Sequence, residues 1–386
     1  MKTVKLGLSK FPAIPPSLVD PTSPSTSPKP LAEIPVNLDA LYAHYYMHSY
    51  DRAVPGPAAL HFEQIRHLTT ATRLTFEKNG LGAHKSKKIN NSNDLGEAFC
   101  RWFLSTHLAI HYFGRMDDVC GHGAIALAGG ASVERSTKGD APDYFCADRA
   151  GGVFLAEAKG TTNGLTFRSG KFKTWRNQFS RVTVRDRMGV ALAVKGYIIA
   201  SRYAVEPVKR TYSWLLAEDP ATPGNQPFVD ETGGFAAAIR SLHYAPSLER
   251  LHQPALAIAL STGTTIDENE RIEATLWESD RPELKGLRFV GGRFCSMTEG
   301  LPDVGPAGRF RVSRRKLPWD YIAGFFGIEE KTFHRLVATA RLGPLQINNL
   351  PGFERRAMPE SGISFLPDGH VLGPAEGFRR VELLNL

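Results

Sequence analysis

Apolar residues run almost without interruption through residues 153–159, a pattern typical of a β-strand covered on both faces. The only charged residues in this run are Glu157 and Lys159. Side chains alternate between the two faces of a strand, so Glu157 and Lys159 share one face. A covered strand rarely ends in two charges for solubility alone, and the pattern therefore predicts a functional site at its end.

The neighbouring segments predict more strands and a hairpin. Strands are predicted at 131–136, 143–148, 153–159 and 196–201. The glycine-rich stretch 148–152 is predicted to reverse the chain between the second and third of these strands. A hairpin folded there returns Asp143 toward the level of Glu157 and Lys159.

Two amphipathic helices are predicted around these strands. One runs from 93 to 112 with Asp94 as its N-cap, and the other from 171 to 188 with an apolar stripe along one face. The connection between 153–159 and 196–201 is a helical crossover, which is expected to be right-handed. The predicted order is helix, three strands, helix, strand.

Pro142-Asp143, followed by Glu157-Ala158-Lys159 within this order of elements, resembles the PD-(D/E)xK nuclease superfamily. The resemblance covers residues 91–205, a little under a third of the chain. It implies a restriction-endonuclease-like core. The expected fold class is α/β, with a mixed sheet flanked by helices and a second α+β domain at the C-terminal side.

The resemblance also implies a metal site and residue roles. Asp143, Glu157 and the backbone carbonyl of Ala158 would bind Mg²⁺ or Mn²⁺, which are hard cations that prefer oxygen ligands. Lys159 would orient or help to deprotonate the attacking water. Glu97, on the helix before the strands, matches a glutamate that often completes the metal site.

Gln178, on the helix after the strands, matches a glutamine that many of these nucleases place beside the site. A structural alternative needs no catalysis. In it, Asp143 caps a turn, and Glu157 with Lys159 forms an exposed ion pair at the end of a strand.

The charge of the chain favours an anionic partner. The formal net charge is +8 and the pI is about 9.3. Basic residues concentrate between 160 and 187, and phosphate contacts are predicted for Arg168, Lys171, Lys173, Arg176, Arg181 and Arg185. An ordinary solvated surface would have the same pattern. Phe172 and Trp175 lie among these residues, and core packing is favoured over base stacking for both.

Residues 318–341 are predicted to form a helix-turn-helix with Gly327 at the turn. Basic residues precede it at Arg309, Arg311, Arg314, Arg315 and Lys316. Lys331 and Arg335 would then face a DNA groove. An ordinary helical hairpin explains the same pattern, so DNA reading by this segment stays open.

Three regions are predicted along the chain. Residues 1–36 form a Pro- and Ser-rich arm, residues 37–205 the nuclease domain with an N-terminal helical layer, and residues 206–386 a C-terminal α+β domain. His107 and His111 would lie one helical turn apart, but the zinc-protease pattern is missing and packing is favoured. The four cysteines are scattered, and no stretch reaches the length of a membrane span, which together predict a cytoplasmic protein without membrane contact.

The sequence therefore predicts a metal-dependent endonuclease that hydrolyses phosphodiester bonds, with DNA favoured over RNA. Phage defence or restriction is a natural setting for such a chain. Two alternatives remain: a nucleic-acid-binding or assembly subunit that keeps the fold without cutting, and an RNA-cutting toxin. Homo-oligomer formation and dependence on a protein activator are both left open.

Overall fold

The computed structural model of the protein describes residues 1–49, 63–121, 131–207, 212–222, 228–229, 232–295, 323–354, 358 and 362–386. The strands, numbered in chain order, are β1 (Lys2–Ser9), β2 (Glu33–Val36), β3 (Thr75–Phe76), β4 (Ile110–Arg115), β5 (Ser132–Arg135), β6 (Tyr144–Asp148), β7 (Gly152–Thr161), β8 (Val182–Arg185), β9 (Ala191–Leu192), β10 (Lys195–Arg202), β11 (Ala204–Val205), β12 (Trp214–Glu218), β13 (Phe228–Val229), β14 (Glu273–Ser279), β15 (Arg288–Cys295), β16 (Ala323–Glu329), β17 (Ser364–Phe365), β18 (His370–Pro374) and β19 (Phe378–Asn385). The α-helices are α1 (Leu38–Ser49), α2 (Glu63–Arg66), α3 (Lys85–His107), α4 (Met116–Gly121), α5 (Gly170–Phe179), α6 (Gly234–Arg250), α7 (Pro254–Thr262) and α8 (Glu330–Leu342).

A large mixed sheet forms the first layer of the fold. Its strand order is β2-β1-β12-β10-β7-β6-β4, and β13 also pairs with β7. The central strand β7 is antiparallel to β6 and parallel to β10. Residues 152–158 of β7 are all buried, as their continuous apolar pattern predicts. The protein is therefore an α/β protein with a covered mixed sheet.

Helices cover both faces of this sheet. On one face, Phe99 and Phe103 of α3 share a core with Ala156 of β7. On the other face, Phe172 of α5 and Phe235 of α6 share a second core with residues such as Leu155. Phe172 is fully buried, so core packing is the correct interpretation of this aromatic residue.

A second sheet follows in the C-terminal part of the chain. It is antiparallel throughout and has the order β17-β18-β16-β15-β14-β19. Apolar residues of this sheet join the core beneath α6, so the two sheets share one hydrophobic cluster. Two smaller sheets, β5-β8-β9 and β3-β11, complete the described strands.

The prediction of an N-terminal arm is wrong. β1 lies inside the large sheet, parallel to β12 and antiparallel to β2. Between these strands Leu18 is fully buried, and its carbonyl accepts a hydrogen bond from the backbone N–H of Leu31. Proline and serine content predicted an extended chain, but buried apolar residues within the segment anchor it. β12 also belongs to the large sheet, although the sequence placed it in the C-terminal domain.

Two helix boundaries also differ from the predictions. The helix predicted at 93–112 is α3, which begins at Lys85 and ends at His107. Ala109 then adopts a left-handed conformation with φ of 56°, and β4 follows. His107 and His111 consequently do not share a helix. The helix predicted at 171–188 ends at Phe179 and is followed by β8.

One predicted strand lies in a small separate sheet and not in the large one. The segment predicted at 131–136 is β5, but it pairs with β8 in a small sheet. The strand beside β6 in the large sheet is β4, from a segment that the sequence placed in the first helix. The other three predicted strands are confirmed as β6, β7 and β10.

The helix-turn-helix prediction is wrong as well. Residues 323–329 form β16 at the middle of the second sheet, and only α8 is helical. Gly324 lies against the ring of Phe294 on the neighbouring strand, so its small size is needed for packing. The remainder of the predicted segment, 318–322, and the basic residues before it lie outside the described residues. Among the described helices, none is long and apolar enough to cross a membrane.

Candidate functional site

The β6–β7 hairpin brings the two predicted carboxylates together. Antiparallel pairing sets Tyr144 opposite Ala156, so Asp143 lies just beyond β6, beside the end of β7. The backbone N–H of Ala158 donates to Asp143 Oδ2 at 2.7 Å. Lys159 Nζ lies 2.5 Å from Glu157 Oε1 and 3.5 Å from Asp143 Oδ2. The ammonium group is therefore shared between two carboxylates.

Burial makes Glu157 the most unusual group in this cluster. Its side chain is 0% exposed, and its contacts within the cluster are the Lys159 ammonium, 2.5 Å from Oε1, and the carboxyl group of Asp143. Burial, and then the charge of Asp143, raise the pKa of Glu157 well above its ordinary value. A buried carboxylate costs free energy unless a cation accompanies it, and Lys159 supplies that positive charge here. The predicted alternative of an exposed Glu157–Lys159 pair does not agree with this burial.

The other two groups of the cluster respond to their charged neighbours. Burial raises the pKa of Asp143, and Lys159 partly opposes this effect. Burial lowers the pKa of Lys159, but Asp143 and Glu157 outweigh burial, so the pKa of Lys159 is raised. Lys159 therefore keeps its proton in this arrangement.

Two glycines allow α3 to approach the end of β7 closely. A Cβ atom on Gly96 would lie 2.5 Å from the backbone nitrogen of Gly160, and one on Gly160 would lie 1.6 Å from the carbonyl oxygen of Ser92. Neither position can accept a side chain without moving the backbone. Glu97 directly follows Gly96, and Lys159 directly precedes Gly160, so this contact brings two of the predicted site residues close together.

Glu97 is held on its inner side by hydrogen bonds. Its Oε2 accepts from the hydroxyl of Tyr144 at 2.7 Å and from Arg101 Nη1 at 3.4 Å. Arg101 also donates to the Tyr144 hydroxyl and, at 3.0 Å, to the carbonyl of His44. These hydrogen bonds fix the Glu97 carboxylate through Oε2, and its side chain remains partly exposed.

The predicted site residues lie at one cleft of about 580 Å³. Glu97, Asp143, Lys159 and Gln178 line it, and Glu157 lies buried behind Lys159. Gln178 reaches the cleft from α5, and its Oε1 has no hydrogen-bond partner among the described residues. The cleft is polar and mixed in charge, which suits an ionic ligand.

Sequence reasoning missed several residues of the cleft. Arg115, Arg135 and Tyr144 line it together with Tyr45 and Asp94. Tyr144 directly follows Asp143, so its place on the hairpin was a usable signal. Arg115 ends β4, a strand that the sequence did not predict because the first helix was extended to residue 112. Asp94 was considered only as an N-cap, yet it lies inside the longer helix α3.

The six predicted phosphate-binding residues separate into two groups, and none of them lines the cleft. Arg168, Lys171 and Lys173 are exposed and form no salt bridge with another described residue. Arg176 instead binds both carboxylate oxygens of the buried Glu218, at 3.0 and 2.9 Å. The remaining two donate to backbone carbonyls, Arg181 to Asp140 and Arg185 to Gly189. The first group can meet a ligand, and the second has intramolecular partners.

A second polar cluster lies in the core, between α6 and the turn from β17 to β18. Asp368 Oδ2 lies 2.8 Å from His243 Nε2 and 3.1 Å from His370 Nδ1. The three side chains are buried, and their ligand atoms are close enough to hold a metal ion. Sequence reasoning did not find them because they are far apart along the chain.

Hydrogen bonds show how this cluster is satisfied without a metal. The backbone N–H of Phe113 donates to His243 Nδ1 at 3.3 Å, so the ring proton lies on Nε2 and faces Asp368. His370 Nε2 bonds the hydroxyl of Ser247 at 2.8 Å. Burial alone would raise the pKa of Asp368, but His370 and His243 outweigh it and hold that pKa well below its ordinary value. A metal on His243 would have to displace the proton that this network uses.

Comparisons with known proteins do not identify the chain: no protein-family model, no curated protein and no solved structure matches it.

Proposed function

We propose that the protein is a metal-dependent endonuclease that hydrolyses phosphodiester bonds, with DNA as its favoured substrate. One observation carries the proposal. The carboxylate of Glu157 is fully buried, and it lies beside Asp143 and Lys159 at the edge of a polar cleft. Clusters of titratable groups with perturbed pKa values in a cleft are typical of catalytic sites.

The donor set fits a hard divalent cation. Asp143, Glu157 and Glu97 supply carboxylate oxygens, and Mg²⁺ and Mn²⁺ prefer such ligands. The N–H and C=O of one strand residue point to the same edge of the strand, so the carbonyl of Ala158 faces the side on which its N–H meets Asp143. A bound cation would polarise a phosphate oxygen and acidify a water molecule.

Lys159 supplies a fixed positive charge in this proposal. Its ammonium group lies 2.5 Å from Glu157 and 3.5 Å from Asp143, at the wall of the cleft. From this position it can orient a water molecule and stabilise negative charge that develops on the phosphate.

The chain's charge supports a nucleic acid as the substrate. The net charge of +8 attracts a polyanion, and Arg168, Lys171 and Lys173 are exposed with no internal ion pair among the described residues. Arg115 and Arg135 also line the cleft, where Arg135 pairs with Asp117 at 2.6 Å and Arg115 donates to the carbonyl of His48. The preference for DNA over RNA, and a role in phage defence or restriction, rest on the family resemblance alone.

A cleavage panel tests the proposal. Plasmid, linear duplex DNA, single-stranded DNA and RNA are incubated with Mg²⁺, Mn²⁺ or EDTA, using the full chain and its Lys159→Met variant. We expect metal-dependent cutting that is lost in the variant and kept in Lys285→Ala, which removes an exposed lysine that neither lines the cleft nor belongs to the predicted phosphate-binding residues. Tight binding without cutting in any metal would instead favour a non-cutting binding subunit, and cutting of RNA alone would favour a toxin.

A further inference from the structure

Arg101 is a fully buried cation next to the candidate site. Its side chain is 0% exposed and donates to the hydroxyl of Tyr144, to Glu97 and to the carbonyl of His44. Burying a guanidinium group is costly unless its donors are satisfied by acceptors. Two of these acceptors, Tyr144 and Glu97, line the cleft. Arg101 therefore supports the cleft wall at Glu97.

Tyr144 connects this cation to the carboxylate. Successive side chains of an extended segment point to opposite faces, so Asp143 and Tyr144 project to different sides. Asp143 meets the end of β7, while Tyr144 is buried beneath α3 and donates its hydroxyl proton to Glu97 Oε2 at 2.7 Å. One dipeptide of the hairpin thus supplies the carboxylate of Asp143 on one side and holds the carboxylate of Glu97 on the other.

The arrangement leaves one oxygen of Glu97 for the cleft. Both donors, Tyr144 and Arg101, bind Oε2. The side chain is 40% exposed and lines the cleft beside Asp143. Three carboxylates in one site repel one another, so a defined position for Glu97 needs an opposing force. The hydroxyl of Tyr144 and the charge of Arg101 supply it.

We propose that Tyr144 and Arg101 are positioning residues that hold Glu97 against Asp143, so that the two carboxylates bind one divalent cation. This inference rests on the proposed function, because it assigns Glu97 to the same metal site. Neither residue touches the reacting atoms. Groups that orient metal ligands typically change metal affinity about 10- to 100-fold when they are removed.

Tyr144→Phe tests the proposal, since it removes one hydroxyl and keeps the ring that packs beneath α3. Mn²⁺ binding to the full chain is measured by isothermal titration calorimetry without nucleic acid, together with kcat, KM and thermal stability. We expect Mn²⁺ to bind about tenfold more weakly. We also expect a lower kcat, an unchanged KM and partial rescue of cutting at high Mn²⁺ concentration.

Two further variants make the result specific. Tyr244→Phe removes another buried tyrosine hydroxyl, one that donates to the carbonyl of Asp368, and should leave Mn²⁺ affinity unchanged. Glu97→Gln should weaken Mn²⁺ binding at least as much as Tyr144→Phe. The double variant of Glu97 and Tyr144 should bind Mn²⁺ as Glu97→Gln alone does, because the two residues act through one contact.

The outcomes separate this inference from the proposed function. If the unmodified chain binds Mn²⁺ and Tyr144→Phe binds it equally well, the positioning role is overturned and the nuclease proposal stands. A loss of thermal stability with unchanged Mn²⁺ affinity leads to the same conclusion. If the unmodified chain binds no Mn²⁺ and cuts nothing, both proposals fail together.

Discussion

Lys159 Nζ lies 2.5 Å from Glu157 Oε1, and of these two side chains only that of Lys159 reaches the cleft. The lysine therefore covers the buried acid on the cleft side, and a cation in the cleft can reach Glu157 only when the Lys159 side chain turns aside. Replacing Lys159 with Met removes the charge and keeps a long side chain. We expect cleavage to fall by at least about 100-fold, because electrostatic stabilisation of the phosphate is lost.

The measurement for this variant is single-turnover cleavage with saturating enzyme, combined with nucleic-acid affinity by fluorescence anisotropy. Affinity should change little, since the exposed basic residues outside the cleft are intact. Lys285→Met provides a matched control at an exposed lysine outside the predicted phosphate-binding residues. Equal cleavage by Lys159→Met and the unmodified chain would remove Lys159 from the catalytic site.

Glu157→Gln should stabilise the metal-free protein at neutral and higher pH. The pKa of Glu157 is raised in the folded state, so the folded protein binds more protons there than the unfolded chain does. The contribution of Glu157 to stability is therefore full below the ordinary pKa of 4.5 and is lost as pH rises above it. We expect the variant to melt about 2 °C or more higher at pH 8.

Metal binding should reverse the difference in thermal stability between Glu157→Gln and the unmodified chain. Saturating Mn²⁺ stabilises the unmodified chain by binding only its folded state, whereas Glu157→Gln has lost one charged ligand. Thermal melts at pH 4 and pH 8, with EDTA or Mn²⁺, measure both effects. A metal-free variant that is less stable at pH 8 would show that the Lys159 ion pair already compensates the buried charge.

Substituting Arg176 should change stability, whereas substituting Lys171 should change nucleic-acid binding, although both residues were predicted to contact phosphates. Arg176 forms two hydrogen bonds to the buried Glu218. Arg176→Ala should cost about 2 kcal/mol of unfolding free energy, since part of the ion pair is solvent-screened. Lys171→Ala should leave stability unchanged and weaken nucleic-acid binding.

Urea denaturation and the salt dependence of binding separate these two effects. Each lost phosphate contact lowers the slope of log affinity against log salt by about one. We expect this change for Lys171→Ala and not for Arg176→Ala. The opposite assignment would mean that the Arg176–Glu218 pair opens when nucleic acid binds.

Asp368→Asn should destabilise the core without affecting the cleft. His243 and His370 hold the pKa of Asp368 well below its ordinary value, so its contribution to stability is present above pH 3.8 and is lost as pH falls further. At pH 7 we expect a loss of about 3 kcal/mol, because a buried charge network is broken. Urea curves at pH 7 and pH 3 measure the difference, which should narrow at the lower pH.

The same curves decide whether this cluster holds a metal. They are recorded with and without EDTA in an Asp143→Ala background, in which the cleft lacks one of its ligands. A hydrogen-bonded network predicts identical curves. A lower midpoint in EDTA would identify the cluster of His243, Asp368 and His370 as a metal site.

The sequence predicted the hairpin of the site because alternation and a glycine-rich turn are local signals. β6, β7 and β10 follow them, and Asp143, Glu157 and Lys159 come together as expected. The end of α3 was missed for a physical reason. Ala109 turns the chain in a left-handed conformation that glycine usually provides, so no local residue marked the boundary.

Other features depended on partners distant in the chain. The ion pair of Arg176 depends on Glu218, 42 positions later in the chain. Glu157 shares a face of β7 with Leu155, and this face packs with residues of α5 and α6 that follow it in the chain. Gly327 resembled the turn of a helix pair, but it lies in β16, next to Gly291 of β15. A pattern of apolar residues and glycines does not specify which strand will lie beside it.

The contact between Gly96 and Gly160 makes part of the candidate site mechanically rigid. Two backbones touch there without an intervening side chain, so no rotamer change can alter the spacing between the start of Glu97 and the end of Lys159. The backbone contact therefore fixes the distance between these two residues. A signal that switches the cleft on or off must therefore act on a wall other than this helix–strand crossing, such as α1, which contributes Tyr45 and His48.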